Sequence, residues 1–410
     1  FKSDTSRINA IIYKAKIALD SNEIYSSLHF ANEVLNQSNK IDYVLGKARS
    51  IDIIGRIQSI NGNKDSSLIT TKIALSLFKK IHNDYFIGIA LNGIGVIYND
   101  IGNQDSAELY FNEAIKVRQT INDKIGVVGS YNNLGKVYYY RSQYSKSLEY
   151  YFISLSLAEQ AGNKPLQSAT LNNIGGVFWS QGDYTKALEF FMKSLKIKEE
   201  LNDIKSIALI HNNIGMVYRK MGESNLALKY YNLSLLNSKS INDSISVSYA
   251  LMGLGYIYHE MGDFQKALDS FTQSAEIRRK DSNHLGLADI YVCLGNLYKD
   301  MGDKDKALKN LEAAQDIYIR YNEPWGKAKS LIHIGEVYSK LGLTQKAIEK
   351  CNLGLTIARQ INALEITKDG YLILNKIYEK IGNNTQAYNT YKSYIVFRDS
   401  LNNIEKAKQV

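Results

Sequence analysis

The sequence predicts an all-α fold, an α-solenoid of about ten helical hairpins, and three observations support this prediction. The motif Asn-Ile/Leu-Gly occurs at 133–135, 173–175 and 213–215, so it returns after 40 residues each time. Aromatic, glycine and small residues then follow the motif at fixed distances. No segment shows the alternation of apolar and polar residues that is typical of a half-buried strand. A fixed period of this length is typical of proteins whose repeats stack on one another.

The 40-residue register extends through nearly the whole chain. Ten registers account for 400 of the 410 residues, and Ala15 and Asn375 take the position of the glycine in the first and last of them. Length alone would suggest two or three domains, but the period predicts one repeat domain over 1–410, with its weakest match in 1–80. We call the glycines of the eight inner registers the marker glycines: Gly55, Gly95, Gly135, Gly175, Gly215, Gly255, Gly295 and Gly335.

Each repeat is predicted to be a pair of helices. In the fifth repeat, Gly182 ends the first helix because glycine adopts the left-handed conformation at low cost. Asp183 then caps a second helix from 184 to about 201. The marker glycine, and an Ala or Ser twelve residues after it, are small enough for the two helices to approach closely. The apolar face of the first helix is formed by residues with helical spacing: Leu171, Ile174, Val177 and Phe178.

Several residues have simple structural interpretations in this pattern. Pro165 and Pro324 fall at turns between repeats, because the first turn of a helix tolerates a missing N–H. Cys293 and Cys351 cannot form a disulfide framework and are predicted to pack as small apolar residues. The composition, with 45% hydrophobic and 22% charged residues, excludes a disordered chain. The formal charge of +9 is spread along the chain, so we expect no nucleic-acid-binding stripe.

Neither catalysis nor a membrane span is predicted for these residues. His259-Glu260 begins like the helix of a zinc protease, but Asp263 stands where the second histidine is required. Gly93 and Gly253 belong to fragments of a dinucleotide loop, yet both lie within predicted helices without a preceding strand. We therefore expect no enzyme and no cofactor within this chain. No segment is long and apolar enough to cross a bilayer.

The repeat pattern resembles the tetratricopeptide repeat, with its small residue in the first helix, an aromatic residue three positions later, and the Ala and aromatic residue of the second helix. The resemblance implies a right-handed superhelix. The common unit has 34 residues and a terminal proline, whereas this unit has 40 and lacks the proline. It is similar to the 40-residue subclass of kinesin light chains, cell-polarity scaffolds, bacterial peptide receptors and sensor regions of bacterial histidine kinases and transcriptional regulators.

The end of the chain, 394–401 with 405–409, is similar to the last repeat of those bacterial sensors. In them it precedes a transmembrane or signalling helix and an output domain. We therefore predict that the last helix, 392–410, leads to an output region. The abundance of Asn, Ile, Lys and Tyr also favours a bacterial protein.

The resemblance places the partner-binding groove on the first helices of the repeats, at positions three before and one, four and five after the marker glycine. Four successive repeats have asparagine at the first of these positions, and we call these residues the asparagine ladder: Asn92, Asn132, Asn172 and Asn212. A second asparagine follows in three repeats: Asn133, Asn173 and Asn213. Aromatic and basic residues stand beside them: Lys136, Tyr139, Trp179, Arg219 and Tyr256.

An asparagine amide offers one acceptor and two donors, which match the groups of an extended peptide. The ladder is therefore predicted to hold the backbone of a partner while the aromatic residues receive apolar side chains. Lys136, Arg219 and Lys220 favour a partner with acidic residues or a free carboxylate. The alternative is that the second asparagine of each pair bonds to a neighbouring helix or faces water.

Two functions fit this sequence. The first is a sensor or interaction region of a larger bacterial signalling protein, on the extracytoplasmic side of a membrane. The second is a free-standing scaffold or cytoplasmic peptide receptor. The sequence after Val410 would separate the two.

Overall fold

A computed structural model describes the backbone of residues 2–21 and 23–409 and the side chains of residues 4–21 and 23–401. These residues form twenty α-helices and no strand, which confirms the predicted all-α class. The helices are α1 Lys2–Asp20, α2 Ile24–Lys40, α3 Val44–Ile60, α4 Lys64–Lys80, α5 Asp84–Asp100, α6 Gln104–Thr120, α7 Lys124–Tyr140, α8 Tyr144–Gln160, α9 Lys164–Ser180, α10 Tyr184–Glu200, α11 Ile204–Lys220, α12 Ser224–Ser240, α13 Ser244–Glu260, α14 Phe264–Lys280, α15 His284–Met301, α16 Lys304–Arg320, α17 Pro324–Lys340, α18 Thr344–Gln360, α19 Leu364–Lys380 and α20 Asn384–Gln409. The predicted last helix, 392–410, lies within α20 as far as Gln409, and Val410 lies outside the described residues.

The 40-residue period follows from the lengths of the helices and turns. Most helices have 17 residues, and three residues connect each to the next, as between α9, α10 and α11. The middle residue of the turn has a positive φ, for example 78° at Gly182 and 52° at Asn202. Glycine and asparagine adopt this conformation at lower cost than other residues. Turns within repeats therefore mostly use Gly, and turns between repeats mostly use Asn.

Side-chain caps begin many of the helices. Asp183 accepts a hydrogen bond from the backbone N–H of Lys186 at 3.1 Å, which confirms its predicted role at the start of α10. Pro324 is the first residue of α17, where a missing N–H costs nothing. Each cap satisfies a backbone donor that the helix itself cannot pair.

The chain forms two compact units, Phe1–Val177 and Phe178–Val410, and the division falls inside α9. In the first unit, a typical part of the core is built from the second helix of one repeat and the first helix of the next: Ala107, Phe111, Ile115, Leu134 and Val137. The second unit has similar clusters, one of which contains Cys293, and Cys351 is also fully buried. The two cysteines therefore pack as predicted. The single domain over 1–410 stays a prediction.

The marker glycines fix which side of each first helix is buried. A Cβ atom added at Gly135 would lie 2.6 Å from the ring of Tyr151, and one added at Gly255 would lie 2.5 Å from the ring of Phe271. Where serine stands twelve residues after the marker, it bonds to the marker carbonyl, as Ser147 does to Gly135 at 2.7 Å. The marker side of the first helix thus packs against the second helix of its own repeat. The opposite side remains available for other contacts.

Candidate functional site

The positions predicted for binding lie on the side of the first helix that faces away from the marker contact. On α7, Lys136 and Tyr140 are exposed, and Asn132 and Tyr139 are half-buried. On α11, Asn212 and Arg219 are half-buried and Lys220 is exposed, which repeats the same pattern. We call the surface formed by the positions three before and one, four and five after the marker the first-helix face, and we describe it separately in each unit.

In the first unit, asparagine side chains join neighbouring first helices. The Nδ2 atom of Asn133 on α7 donates to Oδ1 of Asn92 on α5 at 3.2 Å. One repeat later, Nδ2 of Asn173 on α9 donates to Oδ1 of Asn132 on α7 at 2.9 Å. We call each of these pairs an amide rung. Each rung joins two residues 41 positions apart, so it exists only because the repeat keeps its 40-residue register.

The first amide rung belongs to a longer chain of hydrogen bonds. The hydroxyl of Ser130 also donates to Oδ1 of Asn92, at 3.1 Å. The buried guanidinium of Arg118 donates to Ser130 Oγ at 2.7 Å and to the carbonyl of Gly126 at 2.6 Å. Its Nε atom lies 3.6 Å from the carboxylate of Asp123. The buried charge of Arg118 is therefore linked through Ser130 to Asn92, the first residue of the asparagine ladder.

These contacts show what the second asparagines do in the first unit. The amides of Asn133 and Asn173 bond to neighbouring first helices, which is the alternative that the sequence left open. Asn172 and Asn213 occupy the corresponding positions on α9 and α11, and both have interactions. Binding of a partner by the ladder stays a prediction.

The ladder changes at Asn212 in the second unit. The next first helix, α13, has Gly253 where α7, α9 and α11 have their second asparagine. A Cβ at Gly253 would lie 2.3 Å from the ring of Tyr231, so that ring occupies the space in which another amide would stand. Nδ2 of Asn212 is 3.7 Å from the sulfur of Met216. Its buried Oδ1 atom accepts no hydrogen bond from the residues that the structure describes.

Charged side chains join the first helices further along the second unit. Arg219 Nη1 donates to Glu260 Oε1 at 2.9 Å, and His259 Nε2 lies 3.1 Å from Asp300 Oδ2. Both pairs have the 41-residue spacing of the amide rungs. Lys299 Nζ forms a similar contact with Glu336 Oε2 at 2.8 Å. We call the Arg219–Glu260 and Lys299–Glu336 pairs the ionic rungs.

The predicted aromatic residues divide into packed and accessible groups. Tyr256 is held from two sides, because the Arg219 guanidinium lies 4.6 Å from its ring centre and the Cys293 thiol donates to its hydroxyl at 2.9 Å. The interaction with Cys293, and then burial, raises the pKa of Tyr256 well above its ordinary value. Tyr139 packs edge-on against Tyr140, over which Lys136 also lies. Tyr256 therefore has a structural role whatever else it does.

Trp179 is half-buried, and its indole Nε1 has no hydrogen-bond partner among the described residues. An indole N–H usually has a partner when it is buried. Because its Nε1 atom is enclosed, the ring is the part of Trp179 that can contact a bound group.

A cavity of about 580 Å³ opens on the first-helix face of the first unit. Its walls come mainly from α1, α3 and α5, and Asn92 is one of its lining residues. Asp52 and Arg56 form an ion pair at 2.9 Å in the same wall, and Asp52 is only 8% exposed. Burial raises the pKa of the Asp52 carboxyl, against the opposing effect of Arg56. Apolar lining residues complete the cavity: Leu19, Ile60, Ile89, Val96 and Ile97.

The repeat pattern predicts site residues from the third repeat onward and does not single out Arg56 or Arg118. A signal for Arg56 was present, because it stands one residue after the marker Gly55, where a side chain faces outward. It was missed because the first two repeats match the pattern least well. Arg118 lies on a second helix, and nothing in the period indicates that it reaches the ladder.

A second cavity, of about 310 Å³, lies in the second unit between α15, α17 and α19. Trp325, Lys329 and His333 line one side, and Asn296 lines another. The Nζ atom of Lys329 lies 5.0 Å from the centre of the Trp325 ring. Burial lowers the pKa of His333, so its imidazole is neutral near pH 7.

Within the described residues, no three His, Cys, Asp or Glu side chains are close enough to hold a metal ion. None of the described helices combines the length and the apolar character that a membrane span requires.

A family model described as tetratricopeptide repeat matches residues 127–200, 206–280 and 286–360, together more than half of the chain. Another model with the same description matches residues 89–120. The matched segments contain the amide rung between α7 and α9 and the ionic rungs. A comparison with curated protein sequences finds no match.

Solved structures with similar folds share little sequence with this chain. The apo form of RapI is 18% identical, with a TM-score of 0.61 over 87% of this chain and 98% of that chain. The quorum sensor NprR from B. thuringiensis, also in its apo form, is 14% identical, with a TM-score of 0.59 over 86% of this chain and 99% of that one. The Rap conjugation gene regulator of plasmid pLS20, in complex with the Phr* peptide, is 16% identical, with a TM-score of 0.53 over 77% and 97%. At these identities the likeness shows the fold alone.

Proposed function

Because the chain belongs to the tetratricopeptide-repeat family, we propose that it is a protein- or peptide-binding domain whose first-helix face holds an extended segment of a partner. One observation carries this proposal: a cavity of about 580 Å³ opens on the first-helix face of the first unit, and the amide of Asn92 lines it beside apolar side chains.

The 580 Å³ cavity of the first unit is the proposed anchor for one apolar side chain of that segment. Five apolar side chains line it together with polar and charged ones, and the amide of Asn92 can contact the peptide backbone next to the anchored side chain. A cavity of this size lies within the range of ligand sites. The role proposed for the chain is binding, and no catalytic step is assigned to it.

The solved relatives support this proposal. The pLS20 regulator is in complex with a peptide, and NprR is a quorum sensor. Since both share the fold of this chain, an extended peptide in the concave groove of the repeats is the occupant that we propose here. Acidic residues or a free carboxylate on that peptide would be favoured by Lys136.

We further propose that the chain is the sensor or interaction region of a larger bacterial signalling protein. The extracytoplasmic side of a membrane is the proposed location, and a cytoplasmic peptide receptor or scaffold is the alternative. The support is the resemblance of the last repeat to bacterial sensors. Sequencing the reading frame beyond Val410 tests it, because a membrane span followed by an output domain is expected.

The binding proposal is tested with a random dodecapeptide display library selected on the purified chain. We expect enriched peptides that share an apolar residue. Val96, 36% exposed and lining the cavity, can be replaced by a larger side chain without disturbing the core. Val96→Trp should reduce the affinity of the strongest selected peptide at least tenfold, with no change in melting temperature.

The matched control is Ile69→Trp, a similar change at a 63%-exposed position on α4, outside the first-helix face. It should bind the selected peptide as the wild type does. A library that enriches no peptide would refute the binding proposal. If Val96→Trp binds the peptide with unchanged affinity, the apolar side chain of the peptide is not bound in this cavity.

A further inference from the structure

The first residue of the asparagine ladder has a saturated acceptor. Oδ1 of Asn92 receives hydrogen bonds from Ser130 Oγ at 3.1 Å and from Asn133 Nδ2 at 3.2 Å. An amide oxygen has two lone pairs, and both are therefore used. The Nδ2 group, with its two N–H donors, is the part of the amide that remains available at the cavity that Asn92 lines.

The second residue of the ladder has the same orientation. Oδ1 of Asn132 accepts from Nδ2 of Asn173 at 2.9 Å, so the amide is turned with its oxygen toward the next first helix. Its Nδ2 group points away from that contact. In both rungs, the donor comes from the later repeat and the acceptor from the earlier one. The orientation of the ladder amides is thus set by their neighbours and is the same in successive repeats.

We propose that Asn133 and Asn173 are positioning residues that turn the ladder amides so that only N–H donors face the bound segment. This inference rests on the proposed function of the first-helix face. It replaces the expectation that each amide matches both the N–H and the C=O groups of a peptide. The first unit then recognises oxygen acceptors, the carbonyls of an extended backbone, and does not recognise backbone N–H groups.

The second unit supplies an internal contrast. Gly253 cannot donate to Asn212, and the buried Oδ1 of Asn212 lacks a donor among the described residues. Among the described residues, no second asparagine donates to this amide, whose Nδ2 contacts the sulfur of Met216 at 3.7 Å. The positioning therefore applies to the amide rungs and ends where the second asparagine is replaced.

The test uses the strongest dodecapeptide from the random display library, resynthesised with one backbone bond changed at a time. An ester at a given bond removes the N–H and keeps the carbonyl, whereas an E-alkene removes both. We expect two or more bonds at which the ester binds nearly as well as the parent peptide and the alkene binds about three- to tenfold more weakly. If the ester and the alkene weaken binding equally at every bond of the peptide, the proposal is wrong.

A variant of the positioning residue gives a second readout. In Asn173→Asp the side chain keeps its shape but can no longer donate to Asn132, whose amide should turn and present its oxygen. Binding of the parent peptide should fall about three- to tenfold, and the penalty for the alkene at the bond that contacts Asn132 should disappear. A purely structural role for Asn173 would lower the melting temperature but leave the ester and alkene pattern unchanged.

The matched control is Asn232→Asp, the same chemical change at an exposed residue on α12 that bonds to the Leu228 carbonyl at 2.9 Å. It should bind all three peptide forms as the wild type does. If Asn173→Asp also behaves as the wild type, the positioning role is refuted while peptide binding stands. If the library enriches no peptide on the wild type, the proposed function fails and this inference fails with it.

Discussion

The two units use the same spacing between first helices but join them with different chemistry. In the first unit, neutral amides span 41 residues, from Asn92 to Asn133 and from Asn132 to Asn173. In the second unit, the same span is made by charges, for example from Arg219 to Glu260. The repeat therefore fixes where a contact between first helices can form, and the residue type at that place decides its strength and its response to solvent.

The difference also affects what each unit can bind. An amide rung uses the oxygen of one asparagine and the N–H of the next, and it leaves further donors on the same face. An ionic rung neutralises both of its partners, so less charge remains for a ligand. We infer that the backbone of a partner is held mainly in the first unit, and that ionic rungs mainly stabilise the second.

The largest expected effect is on binding by the ladder. Replacing Asn92, Asn132 and Asn172 together by alanine removes three sets of neutral hydrogen bonds, each worth about 0.5–1.5 kcal/mol. The affinity for the strongest selected dodecapeptide, measured by calorimetry, should therefore fall by roughly 10- to 1,000-fold. Glu260→Gln, which disrupts an ionic rung, should leave this affinity within about twofold of the wild type.

Circular dichroism distinguishes the two ways in which this prediction can fail. A folded triple variant with full affinity would mean that the ladder does not hold the peptide. A triple variant that loses its helical signal would mean that the amides serve only to join helices.

The next largest effect is on the packing of the two helices within a repeat, which is the same in both units. Gly135→Leu and Gly255→Leu should each lose about 1–3 kcal/mol of unfolding free energy or more, because the added side chain overlaps the ring of Tyr151 or Phe271. Gly129→Ala is the control, since a Cβ there meets no atom within 4 Å and alanine favours a helix. Denaturant titration should show similar losses for both leucine variants. A loss in one unit only would mean that the marker contact differs between them.

The fold could be predicted because the same physical requirements select the same residue types in every repeat. A small residue is needed where a ring from the second helix approaches, and residues that tolerate positive φ are needed in the middle of each turn. Ser142, with φ of 58°, shows that the turn forms even when its glycine is replaced. Ten repetitions of a weak signal make it a strong one.

The candidate site could be predicted only in part, because its contacts depend on single substitutions within the register. The period placed Asn92 and Asn133 on neighbouring helices but could not show that they bond to each other. It gave no indication that Tyr231 fills the space beside Gly253, which ends the ladder at Asn212. The period also gave no indication of the cavity beside Asn92, since the walls of this cavity come mainly from the least regular repeats.

A pH dependence should separate the ionic rungs from the amide rungs. Burial acts to raise the pKa of the Glu336 carboxyl, but the nearby His333 imidazole and the Lys299 ammonium outweigh it and lower the pKa from 4.5 to about 2. A carboxyl with a lowered pKa in the folded state stabilises the protein above its unfolded pKa, and that contribution is lost as the pH falls toward the folded value. The contribution of Glu336 should therefore disappear between about pH 4.5 and 2.

The measurement compares unfolding free energies of the wild type and Glu336→Gln from pH 7 to pH 2. The variant should be less stable by about 1–3 kcal/mol at pH 7, and the two should converge on acidification. The difference between the wild type and Asn173→Ala should not change with pH, since an amide does not titrate. A constant difference for Glu336→Gln would contradict the assigned ion pair.

The smallest expected effect is that of salt on a single rung. Glu260 is 52% exposed in its pair with Arg219, so Glu260→Gln should cost only about 0.2–1 kcal/mol at low ionic strength. Because 1 M salt screens exposed charges at distances beyond about 3 Å, most of that cost should vanish in 1 M sodium chloride. Asn173→Ala should cost about 0.5–1.5 kcal/mol at either ionic strength, since a neutral hydrogen bond is not screened. Equal salt responses of the two variants in thermal unfolding would show that the two kinds of rung are energetically alike, and the residue type at a fixed position in the repeat would then matter less than the position itself.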